Sequence, residues 1–217
     1  MSDVAIPERP RLRGRLHQVA FICSIPAGIT LVALGRTGAA RAAVGVYAVS
    51  LMALYGISAS YHRLNWSPRA RKLMRRLDHS TIFILIAGSY TPLSILALRG
   101  AWRISILVSV WTVALVGVVL KLVRLDRMHA FGMVLYIALG WTAVIALPEV
   151  VRNVSAAGIA LLFIGGILYT SGAIMFAKHK PDPNPRVFGY HEVWHSMVIG
   201  GTICHYTMIM MLALGAR

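Results

Sequence analysis

The chain has 217 residues, of which 58% are hydrophobic and 13% charged, with a formal net charge of +15. Its mean hydropathy of +0.70 excludes an ordinary water-soluble domain, so most of the chain has to meet lipid or other apolar helices. The 22 basic residues keep to tails, loops and segment edges, as the cost of charge in hydrocarbon requires, and the basicity calls for no nucleic-acid partner.

A membrane span takes about 20 apolar residues, and seven such runs follow one another: Leu16–Gly35, Ala42–His62, His79–Leu98, Ile104–Val123, Met128–Leu147, Ser155–Ala177 and His191–Leu214. They predict an all-α, polytopic seven-transmembrane helix bundle: residues 1–15 form a basic tail and 16–217 one membrane domain. The first run is too long for a signal-peptide core of about 7–15 residues and is read as a retained span. Ser89-Tyr90-Thr91-Pro92 in the third run reads as a proline-kinked helix whose carbonyls are satisfied by Ser or Thr. Gly165, Gly166 and Gly172 in the sixth mark close helix packing. Pro181, Pro183 and Pro185 keep the sixth loop extended and non-helical. Cys23 and Cys204 lie within spans and read as small packing residues.

Sixteen Lys and Arg residues fall on one side of this topology, in the N-terminal tail and the second, fourth and sixth loops, and six on the other. The positive-inside rule therefore puts the N-terminus in the cytoplasm and the C-terminus outside.

Ionisable residues at span mouths carry the chemistry, because each is expensive to place there. His191-Glu192-Val193-Trp194-His195 sets two imidazoles one helical turn apart on one face, a spacing that suits two ligands of a tetrahedral metal. It also matches the HExxH pattern in which Glu192 would be a general base. On the same side His62 ends the second span, with Ser58 one turn above it, and Asp78 opens the third. Three neutral histidines leave a position for water on a catalytic zinc, and a carboxylate nearby can orient that water or take its proton. The competing interpretation makes Asp78 and Glu192 helix-terminal caps. His79 points away around the helix, His205 lies about 20 Å along the seventh helix and serves packing, and His17 is a neighbour of the site at most.

Ser58-x3-His62, Leu77-Asp78-His79, Gly88-Ser89-Tyr90-Thr91-Pro92 and Phe188-Gly189-Tyr190-His191-Glu192-Val193-Trp194-His195 together resemble the hemolysin III branch of the progestin and adiponectin receptor family. The resemblance implies a seven-helix bundle with zinc on His62, His191 and His195, and with Asp78 and Ser58 at the bound water. Eukaryotic relatives are associated with ceramide hydrolysis, and the bacterial members carry the hemolysin name from a cytolytic phenotype. It therefore implies a multi-pass protein of the cell membrane acting on a membrane lipid, as a zinc-dependent hydrolase of amides or esters. A pore or receptor with structural zinc and an HExxH intramembrane metalloprotease are the alternatives, and the oligomeric state is left open. Similar proteins often carry Asn and Thr before the histidine matching His17, where this chain has Arg13 and Leu16; the N-terminal segment is accordingly expected to contribute little.

Overall fold

The structure is a computed structural model that describes residues 10–124 and 129–215, the side chains of 124 and 129–131 excepted. The expectations placed on Arg9, Arg127, Met128 and Arg217 lie outside the described residues. The described chain is all helical: α1 (Arg15–Leu34), α2 (Gly38–Arg63), α3 (Pro68–Ala97), α4 (Gly100–Arg124), α5 (His129–Gly140), a 3₁₀ turn (Trp141–Val144), α6 (Leu147–Asn153), α7 (Ala156–Lys178) and α8 (Tyr190–Ala213). Among the described residues six of these helices are long and apolar enough to cross a bilayer, and seven if the bent pair formed by α5 with its 3₁₀ turn and α6 is one broken span rather than a re-entrant loop.

Helix starts follow local chemistry. Thr37, Ser67 and Ser155 each accept a hydrogen bond from the backbone N–H three residues on, in α2, α3 and α7 respectively. Pro68 occupies the first turn of α3, where its missing N–H costs nothing. The third helix thus begins at Pro68, eleven residues before the expected start, and carries Arg69, Arg71, Lys72, Arg75 and Arg76 on its first turns rather than in a loop. Asp78 is consequently well inside α3, which removes its reading as an N-terminal cap.

The fifth run departs from the expected continuous helix. After Gly140 the chain tightens into the 3₁₀ turn, and α6 leaves at 53°. Pro148, in the first turn of α6, disfavours helical geometry at the residue before it and contributes no N–H. The backbone groups freed at the break find Tyr90 of α3. Its hydroxyl donates to the Gly140 carbonyl (2.7 Å) and accepts from the Ala143 N–H (2.6 Å), the kind of rescue that a broken membrane helix needs.

Sequential helices pack in antiparallel pairs, α1 on α2, α2 on α3 and α3 on α4; α7 lies along α8, and α8 closes the bundle against α1 and α3. Leu31, Tyr47, Leu51, Phe83, Val110 and Ile209 belong to one continuous buried core. Outward faces carry Val19, Ile29, Val49, Ile104, Val123, Ile145 and Ile203, an apolar surface that suits lipid. Close α7–α8 packing depends on the expected small residues. A Cβ at Gly165 would collide with the His205 ring, and one at Gly172 would lie 2.7 Å from the Met197 Cβ. In the third span, Ser89 donates to the Ile86 carbonyl and Thr91 to that of Ala87 (2.8 and 2.9 Å), in the turn before Pro92. The proline-rich loop is non-helical as expected, although it closes through an Asn184–Phe188 bridge rather than running extended.

Candidate metal centre

His62 stands in the last turn of α2, and His191 and His195 in the first two turns of α8. One donor nitrogen from each of the three lies within 4.8 Å of the other two. The Nε2 atoms of His62 and His191 are 3.2 Å apart; ligand nitrogens on a tetrahedral ion at about 2.0–2.1 Å stand about 3.3 Å from one another. His195 is buried, and its Nδ1 has no hydrogen-bond partner among the described residues. The donor set, its spacing and that unpartnered ring nitrogen fit a metal ion.

Asp78 comes from the middle of α3, its Oδ2 4.0 Å from His62 Nε2, and the Ser58 side chain, one turn above His62, is close enough to interact with its carboxyl. All five residues singled out in the sequence therefore meet at one end of the bundle. They line a cavity of about 640 Å³, within the range of small-molecule sites, whose apolar wall includes Leu54, Ile82, Met133, Phe176 and Val198.

Glu192, the base of the HExxH reading, is engaged elsewhere. It is fully buried; one carboxylate oxygen accepts from Arg13 Nε (2.6 Å), and the other accepts the Gly189 N–H (2.9 Å) at the start of α8. Asp182 accepts the Tyr190 N–H at the same terminus (2.9 Å). For Glu192 the capping interpretation holds, with an ion pair added.

The N-terminal segment contributes far more than expected. Backbone N–H groups of Arg11 and Leu12 donate to the carbonyls of Arg186 and Val187, tying the segment to the loop that precedes α8. Gly14 adopts φ +77°, and a Cβ there would lie 2.6 Å from His62 Cβ, so only glycine allows this turn to rest on the histidine. His17 is buried, shares a 2.8 Å hydrogen bond with Ser58 Oγ, and stacks on His195 with ring centroids 3.6 Å apart and planes at 10°. The available signal was the pairing of a basic Arg13 with a carboxylate at a helix mouth, which sequence separation concealed. His79 bonds back to the Arg75 carbonyl (2.7 Å) and His205 to that of Leu162 on α7 (3.2 Å); the clustered donors are those of His62, His191 and His195.

Fold and site together define a polytopic helical membrane protein with a three-histidine centre at one end of its bundle. A family model described as "Haemolysin-III related" matches residues 6–206. The chain is 36% identical to "Hemolysin-3" of Bacillus cereus over 201 residues, covering 91% of this chain and 89% of that protein. It is 32% identical to "Hemolysin-3 homolog" of Bacillus subtilis (strain 168) over 197 residues, 89% of each. Similarity extends to "Adiponectin receptor protein" of Drosophila melanogaster, at 26% identity over 199 residues, 78% of this chain and 42% of that one. The chain belongs to the haemolysin III family, a branch of the progestin and adiponectin receptor family.

Proposed function

We propose that this chain is a zinc-dependent hydrolase of lipid amides or esters, residing in the cell membrane with its site toward the cytoplasmic leaflet. The observation that carries the reading is the meeting of His62, His191 and His195 within 4.8 Å beside the Asp78 carboxylate, in a cavity with an apolar wall. Zinc held by these histidines supplies Lewis acidity toward a substrate carbonyl and makes water a stronger acid. Asp78 takes the proton as water attacks the carbonyl carbon, and returns it to the leaving nitrogen or oxygen as the acyl bond breaks. Ser58 orients that carboxylate, while His17 holds Ser58 in place. The apolar wall receives the acyl chain and keeps bulk water from it.

The metalloprotease alternative loses support because both oxygens of Glu192 are engaged by Arg13 and Gly189. Purified protein is to be assayed on long-chain amides and esters before and after chelation, with metal content measured on the same samples. Loss of zinc is expected to abolish turnover and its return to restore it. The Asp78→Asn variant should bind zinc and lose about 10²–10⁴ in rate. Turnover that persists without zinc would reject the reading, and leakage of liposomes without turnover would favour a pore with structural metal.

A further inference from the structure

The turn between α2 and α3 is basic and exposed. Residues 61–77 include Arg63, Arg69, Arg71, Lys72, Arg75 and Arg76, and that stretch of sequence contains no Asp or Glu. Arg63, Arg69, Arg71 and Lys72 are exposed. Arg71 holds its guanidinium over the face of the Tyr61 ring, 5.9 Å from its centroid, which leaves Arg63, Arg69 and Lys72 as the outward cations of the turn.

Helix length sets the depth at which they stand. α3 has 30 residues, about 45 Å at the helical rise, against a hydrocarbon core of about 30 Å. Its apolar run begins at His79, so residues 68–77 extend about 15 Å past the hydrocarbon, through the headgroup layer and to its water edge. Cations along that stretch lie at the level of lipid phosphates. Apolar side chains accompany them: Leu64 and Leu73 are 52% and 53% exposed, as suits the boundary between headgroups and acyl chains. Trp66 lies in the same turn, its indole N–H donating to the Ser60 carbonyl (3.0 Å), and tryptophan is enriched where membrane meets water. About four to eight Lys and Arg immediately beside the end of a span, with apolar and aromatic side chains among them, are complementary to anionic phospholipid.

We propose that the α2–α3 turn is a docking site for the headgroups of anionic phospholipids in the leaflet nearest the histidine centre. Arg63, Arg69 and Lys72 meet the phosphates, while Leu64, Trp66 and Leu73 rest at the boundary with the acyl chains. The assignment goes beyond the hydrolase reading and stands without it, since it concerns the turn rather than the cavity and calls for no metal. The same turn joins His62 to Asp78 along the chain, so a bound headgroup also ties α2 to α3 beside the site.

In neutral detergent the purified protein is titrated with dioleoylphosphatidylglycerol or dioleoylphosphatidylcholine, and bound lipid is counted by native mass spectrometry. Phosphatidylglycerol is expected to bind at least tenfold tighter, and to weaken as sodium chloride is raised. The double variant Arg69→Gln/Lys72→Gln should weaken phosphatidylglycerol about tenfold and leave phosphatidylcholine unchanged, whereas Arg69→Lys should retain most of the affinity. Arg63→Gln/Arg69→Gln should show the same selective loss, so that a folding defect in one pair does not decide the result. Arg99→Gln/Arg152→Gln removes two exposed cations from the opposite end of the bundle and should change neither lipid. An equal loss there would mean that net charge, and not this turn, gathers the lipid, and would overturn the proposal. Phosphatidylglycerol bound no tighter than phosphatidylcholine would overturn it as well. Displacement by inorganic phosphate beyond that by sodium chloride of equal ionic strength would mark a free-anion site, and displacement by polyglutamate at equal charge a soluble acidic partner; either result rejects the lipid assignment. Neither metal content nor turnover enters the measurement, so its failure leaves the hydrolase reading standing.

Discussion

The contact between Arg13 and Glu192 gives the sharpest test of the site's construction. Glu192 is fully buried and Arg13 about one-fifth exposed, with Nε and Oε1 2.6 Å apart. In Arg13→Ala the carboxylate keeps the Gly189 N–H but loses its cation. Breaking a buried pair from one side costs about 3–5 kcal/mol, and the retained hydrogen bond with the partial exposure of Arg13 favours the lower end. At about 2–4 °C per kcal/mol for a chain of this size, about 3 kcal/mol corresponds to a fall of about 6–12 °C in Tm. Glu192→Gln preserves an acceptor for Gly189 and leaves Arg13 able to reach water, so its loss should be smaller, about 1–2 kcal/mol. Arg69→Ala, at an exposed position on the first turn of α3, is the control and should stay within about 0.5 kcal/mol. Thermal unfolding of the three variants in one detergent, followed by circular dichroism, measures the differences. If Arg13→Ala melts with Arg69→Ala, the buried pair does not hold the start of α8 and the reasoning fails. The metalloprotease alternative adds its own requirement, that Glu192→Gln abolish activity; the ion-pair reading expects turnover to survive.

His17→Ala should lower zinc affinity about tenfold, the low end for residues that orient metal ligands, in competition with a chelating dye. His17→Phe restores the ring against His195 without the Ser58 bond and should recover part of that loss; affinity unchanged in both variants would mean that the stack orients nothing. Tyr90→Phe strips the broken span of a donor to Gly140 and an acceptor for Ala143, a loss of about 1–3 kcal/mol of stability, read as a lowered Tm with metal content unchanged.

Apolar run length made the six long helices legible, because a span must be continuous and nearly free of charge. The fifth was misjudged for a physical reason: composition reports hydrophobicity along the chain, whereas continuity of the helix depended on Pro148 and on a hydroxyl supplied by Tyr90, 50 residues or more away. The three histidines were legible because two share one turn of one helix and the third follows from topology. Arg13 escaped notice because its partner is 179 positions along the chain. Lys121, near the end of the fourth run, is buried where a basic residue at a span end ordinarily reaches outward to the headgroups, and the glycine at position 132, distant in sequence, leaves room for its ammonium.

Placement of the histidines at helix ends explains why the N-terminal segment is needed. His62 is the next-to-last residue of α2, and His191 the second of α8, in turns whose backbone groups lack full helical partners and which open most readily. Asp78 is different: it lies ten residues inside α3 (Pro68–Ala97), so its turn has helical backbone partners on both sides. A centre that joins one rigid position to two terminal turns must tie those turns down by other means. The chain does so with polar contacts of long sequence separation: Arg13 on Glu192, the backbone pairs of Arg11 and Leu12 with the loop before α8, Asp182 on the Tyr190 N–H, and Gly14 resting on His62. Loss of these ties should disorganise the histidines before it disturbs the bundle, and comparing metal affinity with Tm in Arg13→Ala separates the two.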